Sequence, residues 1–414
     1  MKLLRKLLKF IGIGLIVIII SINLFILLSG RFYIYKGIAN TYFRGEISPT
    51  IYDLDVFPYA TLPASSNVSK LNFHSNFNAY ELSVEEKDFI DDYHTKAILV
   101  FRNDTLLFEK YWENHSAEKV SNSFSMAKTV VAILVGAALN EGKIKSLDDA
   151  VCDYLPEFCS KNKETISIRD LLTMSSGLDW TESAKNPLSD NAESYYGEHL
   201  YELVTKQSLI TEPGKVFNYQ SGNSQLLGFI VEKATGKDLT QYAQEKIWEK
   251  IGAESDAFWS LDTENGDEKS FCCMYANTKD YGRLGLLLLN KGVFNDQRVI
   301  SESYYNEMMK PAVLMTEEAI PNYRYGLHTW LFMDENSQVN YFRGVKGQYI
   351  ITIPDEDLVI VRIGSKKKRN FNFDKNKLDD PIYLEENKFR VGHSQDFFQY
   401  LEMGRKIAHQ IESK

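Results

Sequence analysis

The sequence predicts an α+β fold in which strands from both ends of the chain form one antiparallel sheet, with a largely helical region inserted between them. Residues 96–102 and 105–112 are apolar and β-rich, and they flank Asn103-Asp104, a pair typical of a hairpin turn. Residues 143–259 read mainly as helices and loops, and the last third returns to β-rich segments separated by turns. The predicted sheet therefore brings segments that are distant in sequence to one edge.

The amino terminus combines a basic tail with a long apolar run. Residues 1–9 are rich in lysine and arginine, and residues 10–28 contain no charged side chain. That length can span a bilayer, and Leu28-Ser29-Gly30-Arg31 is a poor signal-peptidase site. We therefore expect an uncleaved transmembrane anchor, with a cleaved signal peptide as the alternative. The density of positive charge before the span predicts a single-pass protein of a bacterial inner membrane, with its bulk on the periplasmic or extracytoplasmic side.

Three regions follow from this pattern. Residues 1–30 are predicted to form a cytoplasmic tail and membrane anchor, residues 31–75 a tether and irregular segment, and residues 76–414 a single folded domain. Within that domain, the hairpin is followed by an apolar helix after Ser125. Helices are expected over 195–205, 225–234, 239–251 and 277–290, strands over 325–332, 339–342, 349–354 and 358–363, and a closing amphipathic helix over 394–412.

Composition excludes some functions and leaves others open. The formal charge of −9 and the pI near 5.5 argue against nucleic-acid binding, and the basic run 366–369 is expected to be a solvated loop. Since no His or Cys cluster has metal-ligand spacing, we predict neither a metal nor a cofactor. Cys152 and Cys159 flank a loop short enough for a disulfide, which stays an open question, whereas the adjacent Cys272 and Cys273 are not expected to bond. The oligomeric state is not predicted.

Ser125-Met-Ala-Lys128 is the first candidate for chemistry. An apolar stretch of good helix formers follows it, so Ser125 is expected near the first turn of a buried helix with Lys128 on the same face. A serine hydroxyl becomes a nucleophile when a nearby base takes its proton, and a lysine can be that base if burial lowers its pKa. Serine and lysine at this spacing are common, so other motifs must support the assignment.

Three further sequence blocks follow the serine-lysine motif along the chain. Tyr219-Gln-Ser221 stands within the block 212–228, and Ile168–Gly177 and Asn277–Gly285 form two further blocks. Together with the serine-lysine motif, they resemble the serine β-lactamase and penicillin-binding-protein superfamily over residues 75–365. The likeness is strongest to the class C β-lactamase-related branch, which includes 6-aminohexanoate-oligomer hydrolases and esterases. The resemblance implies a β-lactamase/transpeptidase-like fold, with Ser125 as nucleophile, Lys128 and Tyr219 as the groups that move its proton, and Ser221 orienting Lys128 or the substrate.

The third motif of the family is altered. The resemblance implies a basic residue on the strand that lines the site, and the matching stretch here is Arg343-Gly-Val-Lys-Gly-Gln-Tyr-Ile350. Aligned through Gly347-Gln348, the basic position holds a valine and the lysine comes one residue later, at Lys346. A shift of one residue along a strand reverses the face, so Lys346 points away from the site unless a local bulge restores it. With that alternative open, we expect Lys346, Gly347 and Gln348 to contact the substrate, with the Gln348 N–H and the Ser125 N–H as the oxyanion hole.

These observations predict a membrane-anchored serine hydrolase that cleaves a small ester, amide or peptide-like substrate through a Ser125 acyl-enzyme. Two alternatives within the family are a D-alanyl-D-alanine carboxypeptidase or penicillin-binding protein, and a true β-lactamase. An alternative of another class is a catalytically silent binding domain, which is disfavoured because Ser125, Lys128 and Tyr219 are all retained.

Overall fold

A seven-stranded sheet forms the centre of the molecule in the computed structural model, which describes residues 1–160, 162–183, 185–333 and 337–413. The turn expected between the strands predicted over 325–332 and 339–342 falls mostly outside these ranges. Numbered along the chain, the strands are β1 Tyr59–Leu62, β2 Asn72–Phe73, β3 Thr95–Arg102, β4 Thr105–Tyr111, β5 Ser121–Asn122, β6 Val216–Phe217, β7 Ala257–Ser260, β8 Met274–Ala276, β9 Val293–Phe294, β10 Gln297–Arg298, β11 Met315–Thr316, β12 Trp330–Met333, β13 Gln338–Gly344, β14 Gln348–Ile353 and β15 Leu358–Gly364.

The strand order of the central sheet is β12-β13-β14-β15-β3-β4-β2, antiparallel except for the parallel pairing of β2 with β4. The amino-terminal hairpin β3–β4 joins the carboxyl-terminal strands through β15, where Leu99 pairs with Val361. The predicted sheet, shared between the two ends of the chain, is therefore confirmed. The first carboxyl-terminal strand, β12, is shorter than expected.

Helices cover both faces of this sheet. They are α1 Lys2–Ser29, α2 Tyr33–Asn40, α3 Val84–Asp92, α4 Met126–Asn140, α5 Ile168–Leu172, α6 Asp190–Tyr196, α7 Leu200–Thr205, α8 Ser221–Thr235, α9 Leu239–Ala243, α10 Thr278–Leu289, α11 Glu302–Met308, α12 Pro381–Asn387 and α13 Gln395–Glu412. The predicted helix over 195–205 is divided at Gly197 into α6 and α7. Helix α12 follows the basic run 366–369, in a region for which no helix was predicted.

Successive side chains along each strand point to opposite faces of the sheet, so the core has two layers. Leu99 and Val361 belong to the layer that holds α4, α8 and α10, whereas Val100 and Ile360 belong to the layer under α13. Helix α10 lies close to the sheet at Gly285, where an added Cβ would clash with β14 and β15 side chains. The α+β class is confirmed, and the inserted helices lie on the face that carries Ser125.

The segment 31–75 is more ordered than a tether. Strand β1 is the edge of a second sheet, of order β1-β7-β8-β5, and Ile51, Phe57 and Leu62 are buried in the main core. These apolar side chains explain the packing, because each removes hydrocarbon surface from water. The predicted domain boundaries remain a prediction, although a boundary at residue 76 would separate β1 and β2 from strands with which they pair.

Helix α1 is long and apolar enough to cross a membrane, and its side chains are almost all exposed. A bilayer anchor and a signal sequence share these properties, so both alternatives remain.

The four cysteines form two pairs. Cys152 is bonded to Cys159, with Cα atoms 5.3 Å apart. Cys272 is bonded to Cys273, which contradicts the expectation for adjacent cysteines. Cys273 adopts a left-handed backbone conformation (φ 68°) directly before β8, and this local turn accommodates the adjacent pair.

Candidate functional site

Ser125 is the N-cap residue of α4, and its side chain is half-buried although residues 126–138 of the helix behind it are all buried. The backbone before it is fixed by two hydrogen bonds. The Ser123 N–H donates to the Met274 carbonyl at 2.8 Å, and the Phe124 N–H donates to the Asn122 side chain at 2.8 Å. Within the described ranges the Ser125 N–H has no acceptor, so it is available to an anionic atom at the helix terminus.

Lys128 lies in the first turn of α4 and is 1% exposed. Its Nζ donates to Ser125 Oγ at 3.2 Å and to the Phe271 carbonyl at 2.7 Å. Burial lowers the pKa of Lys128 from 10.5 to about 8, and the Glu182 carboxylate partly opposes this shift. A substantial fraction of Lys128 is therefore neutral near pH 8 and able to accept the Ser125 proton.

Tyr219 lies between β6 and α8, with its ring packed between aromatic neighbours. Its centroid is 5.6 Å from Trp330 and 6.0 Å from Tyr325, and the Lys128 Nζ is 5.2 Å from it. Burial raises the pKa of Tyr219 above its usual value, and the nearby Ser125 side chain only partly offsets this. The phenol is therefore neutral at physiological pH. It is suited to donating a proton, whereas Lys128 is suited to accepting one.

Ser221 is the first residue of α8 and contacts a carboxylate rather than Lys128. Its N–H and its hydroxyl donate to Glu182 at 2.8 and 2.9 Å, and Trp180 Nε1 donates to the same carboxylate at 2.8 Å. A carboxylate at the amino terminus of a helix satisfies free N–H groups and interacts favourably with the helix dipole. Ser221 thus positions Glu182, whose charge acts on Lys128.

Lys346 does not contact the predicted nucleophile. The chain turns between β13 and β14, and Lys346 adopts a left-handed conformation (φ 64°) there. Its pKa is lowered chiefly by burial, and the carboxylates that act on it are those of Glu46 and Asp53, in the amino-terminal segment. The structure therefore places Lys346 away from its predicted position, because this stretch is a tight turn and not a continuous strand.

Gly347 and Gln348 stabilise the same turn. The Gln348 side chain donates to the carbonyls of Val345 and Gly364 at 3.0 and 2.6 Å. Gly347 has φ 83°, and the buried guanidinium of Arg362 occupies the space that a Cβ would fill. Because Gly347 has no Cβ, the Arg362 guanidinium can lie against its backbone. The role of the Gln348 N–H in an oxyanion hole remains a prediction.

A cavity of about 230 Å³ opens over Ser125. Its walls combine the nucleophile, aromatic rings, the β13–β14 turn and two cations: Ser125, Tyr219, Trp330, Arg343, Gly344, Val345, Lys367 and Asn370. Ser125 and Tyr219 were predicted to lie here, whereas Gly347 and Gln348 are not among the lining residues. In the described part of the chain, no group of His, Cys, Asp or Glu side chains could hold a metal.

Sequence reasoning missed several of these residues. Trp330 was considered only as part of the strand predicted over 325–332, and Lys367 was placed in a solvated loop. Arg343 was seen only as the start of the altered third motif, and Glu182 was not noticed. The nearest signal was the missing cation of that motif, which could have directed attention to other basic residues close to the sheet edge.

Comparison with known proteins agrees with this geometry. The β-lactamase family model matches residues 86–381. The 6-aminohexanoate-dimer hydrolase of Paenarthrobacter ureafaciens is 26% identical over 288 residues, which cover 66% of this chain and 72% of that protein.

Solved structures show the same fold. A Bacillus anthracis protein provisionally named a 6-aminohexanoate-dimer hydrolase superposes with a TM-score of 0.70 at 19% identity, covering 88% of this chain and 94% of its own. A family VIII carboxylesterase superposes with a TM-score of 0.56 at 18% identity, covering 73% of this chain and 94% of its own. The predicted β-lactamase/transpeptidase-like fold is confirmed.

Proposed function

Because the chain belongs to the β-lactamase family of serine hydrolases, we propose that it cleaves esters or amides through an acyl-enzyme on Ser125. The observation that carries this proposal is the contact of Lys128 Nζ with Ser125 Oγ at 3.2 Å, in a site that lowers the pKa of the lysine to about 8. A base poised near the working pH is what a serine nucleophile requires.

The acylation step follows from these positions. Ser125 Oγ attacks the carbonyl carbon while its proton passes to Lys128 Nζ. Negative charge develops on the carbonyl oxygen, where the free Ser125 N–H can donate a hydrogen bond. The intermediate then collapses and the bond to the leaving group breaks. Tyr219 donates its proton to that group and receives another from Lys128, so no net proton is gained or lost.

Deacylation uses the same groups in reverse. Water attacks the ester carbon, its proton passes to the freed base, and Ser125 Oγ is reprotonated as the acid product leaves. Ser125 is only partly buried, and the open cavity above it gives water access to the acyl group.

We also propose that α1 anchors the enzyme in a membrane, with the hydrolase domain on the extracytoplasmic side. The exposed apolar surface of α1, the basic residues before it and the two cysteine pairs support this arrangement. Retention of the intact chain in washed membranes, with the domain digested by protease added outside spheroplasts, would support it. Release of a shortened soluble chain would favour a cleaved signal peptide.

Labelling of the full-length protein in detergent micelles tests the hydrolase proposal. The protein is incubated separately with a fluorophosphonate and with a penicillin, and its intact mass is measured, with Ser125→Ala as control. A fluorophosphonate adduct on the native protein alone, without a lasting penicillin adduct, would support an esterase or amidase. A stable penicillin adduct would favour a penicillin-binding protein. No adduct from either reagent, on protein whose thermal unfolding is cooperative, would contradict the proposal and favour a silent binding domain.

A further inference from the structure

Two cations on the wall of the Ser125 cavity share one neutral acceptor. Arg343, in β13, donates from Nη2 to Asn370 Oδ1 at 2.5 Å. Lys367, in the segment after β15, donates from Nζ to the same oxygen at 3.1 Å. Their other bonds go to backbone carbonyls, that of Gly392 at 2.7 Å for Arg343 and that of Lys368 at 3.3 Å for Lys367. Each acceptor is uncharged.

In the described part of the chain, no carboxylate is paired with either cation. Across the described residues, neither Arg343 nor Lys367 forms an ion pair with a carboxylate, whereas nearby Arg324 is paired with Glu318 at 2.8 Å. Arg343 is only 9% exposed, with its guanidinium 4.4 Å from the centre of the Trp330 ring. Burying unpaired charge is costly, so two such cations beside one cavity make it a favourable place for an anion.

The electrostatics of Lys367 point the same way. Burial, and next the charge of Arg343, lower the pKa of Lys367 to about 8, while Asp396 only partly opposes the shift. Asp396 accepts hydrogen bonds from Lys368 N, Ser394 and Tyr349, so its charge is already held by other donors. An anion placed in the cavity would relieve the repulsion between the two cations.

We propose that Arg343 and Lys367 bind a carboxylate of the substrate, so that the enzyme selects esters or amides that also carry an acidic group. This inference rests on the proposed function, because Ser125, Arg343 and Lys367 line the same cavity. A planar carboxylate suits a guanidinium, and Lys367 supplies a second positive charge beside it. Lys346, which was expected to contact the substrate, is not among the residues that line this cavity.

Matched substrates test the proposal on the full-length enzyme in detergent micelles. One substrate is the p-nitrophenyl monoester of succinic acid, and the other is its neutral methyl diester analogue of the same chain length. We expect kcat/KM to favour the acidic substrate by about 10- to 100-fold, the range expected for hydrogen bonds to a charged group. The preference should reside mainly in KM and should shrink as salt is added.

Lys367→Met should remove at least tenfold of this acid-over-neutral ratio, and Lys367→Arg should restore most of it. The matched control is Lys366→Met, since Lys366 is exposed and does not line the cavity. That variant should keep both the activity and the ratio of the native enzyme. A charge lost anywhere on the surface would affect both variants alike, whereas loss of a carboxylate site requires the change at Lys367 and not the one at Lys366.

The outcomes separate this inference from the proposed function. Hydrolysis that depends on Ser125 but shows no preference for the acidic substrate, or a preference that Lys367→Met leaves intact, would overturn the carboxylate site and leave the hydrolase assignment standing. If neither ester is cleaved and fluorophosphonate does not label Ser125, the hydrolase assignment fails. In that case, calorimetric binding of succinate that Lys367→Met abolishes and Lys366→Met retains would still support the site, and its absence would contradict it.

Discussion

The carboxylate of Glu182 accepts hydrogen bonds from both the N–H and the hydroxyl of Ser221, which fixes a negative charge at the amino terminus of α8. That charge raises the pKa of Lys128 against the larger effect of burial. We therefore expect Glu182→Gln to lower the pKa of Lys128 and to move the alkaline-rising limb of kcat/KM to lower pH. Glu202→Gln, which changes an exposed carboxylate of α7, is the matched control and should leave the profile unchanged. A limb that moves to higher pH, or does not move, would exclude this role for Glu182.

The native enzyme should become more active as pH rises through about 8. Lys128 accepts the Ser125 proton only when it is neutral, and its folded-state pKa is lowered from 10.5 to about 8, so the active form accumulates above that pH. The measurement is kcat/KM for a neutral ester between pH 6 and pH 10, which excludes any contribution from a substrate charge. Lys128→Arg keeps a cation that does not deprotonate in this range, and we expect it to lose about 1000-fold or more in rate. A profile that is flat across pH 8 would argue against Lys128 as the base.

Tyr219→Phe should slow acylation by about 100- to 10,000-fold while leaving the fold intact. The substitution removes the hydroxyl that contacts Ser125, but it keeps the ring that packs on Trp330. The check is the rate of fluorophosphonate labelling and of ester hydrolysis, with thermal unfolding as a measure of the fold. Tyr325→Phe is a close control, because that buried tyrosine packs against Tyr219 without lining the cavity. Equal activity of the two variants would show that the Tyr219 hydroxyl moves no proton.

The predictions of the fold and of the candidate catalytic groups rest on different features of the sequence. The hairpin and the late strands were readable from alternation and turn residues, and their meeting in one sheet followed from that pattern. Ser125, Lys128 and Tyr219 were proposed as catalytic because the motifs and blocks that hold them resemble those of a known family. These features are local, so one chain was enough to locate them.

The charged walls of the cavity could not be found in this way. Arg343 and Lys367 are apart in sequence, and they meet only because the segment after β15 folds back beside β13. The position of Lys346 stayed open in the sequence, because a strand and a local bulge predict different faces; the positive φ at this residue makes the stretch a turn. Glu182 required knowledge of the path of the loop before α6. Each of these positions depends on contacts between residues that are distant in sequence, and short motifs do not predict such contacts.

Gly347 provides a stability prediction that separates backbone strain from steric conflict. Its φ of 83° disfavours any residue with a Cβ, and the added atom would also displace the guanidinium of Arg362, which is held by the carbonyls of Lys346, Gly347 and Tyr93. Gly142 has φ 66° with no atom near the place where its Cβ would be.

We expect Gly142→Ala to lower the free energy of unfolding by about 1 kcal/mol, the cost of the left-handed conformation alone. Gly347→Ala should cost roughly 2–4 kcal/mol, because buried hydrogen bonds of Arg362 are lost in addition. Denaturant unfolding of both full-length variants in the same micelles would measure the difference. Equal losses would mean that Arg362 moves aside without cost and that the β13–β14 turn does not depend on it.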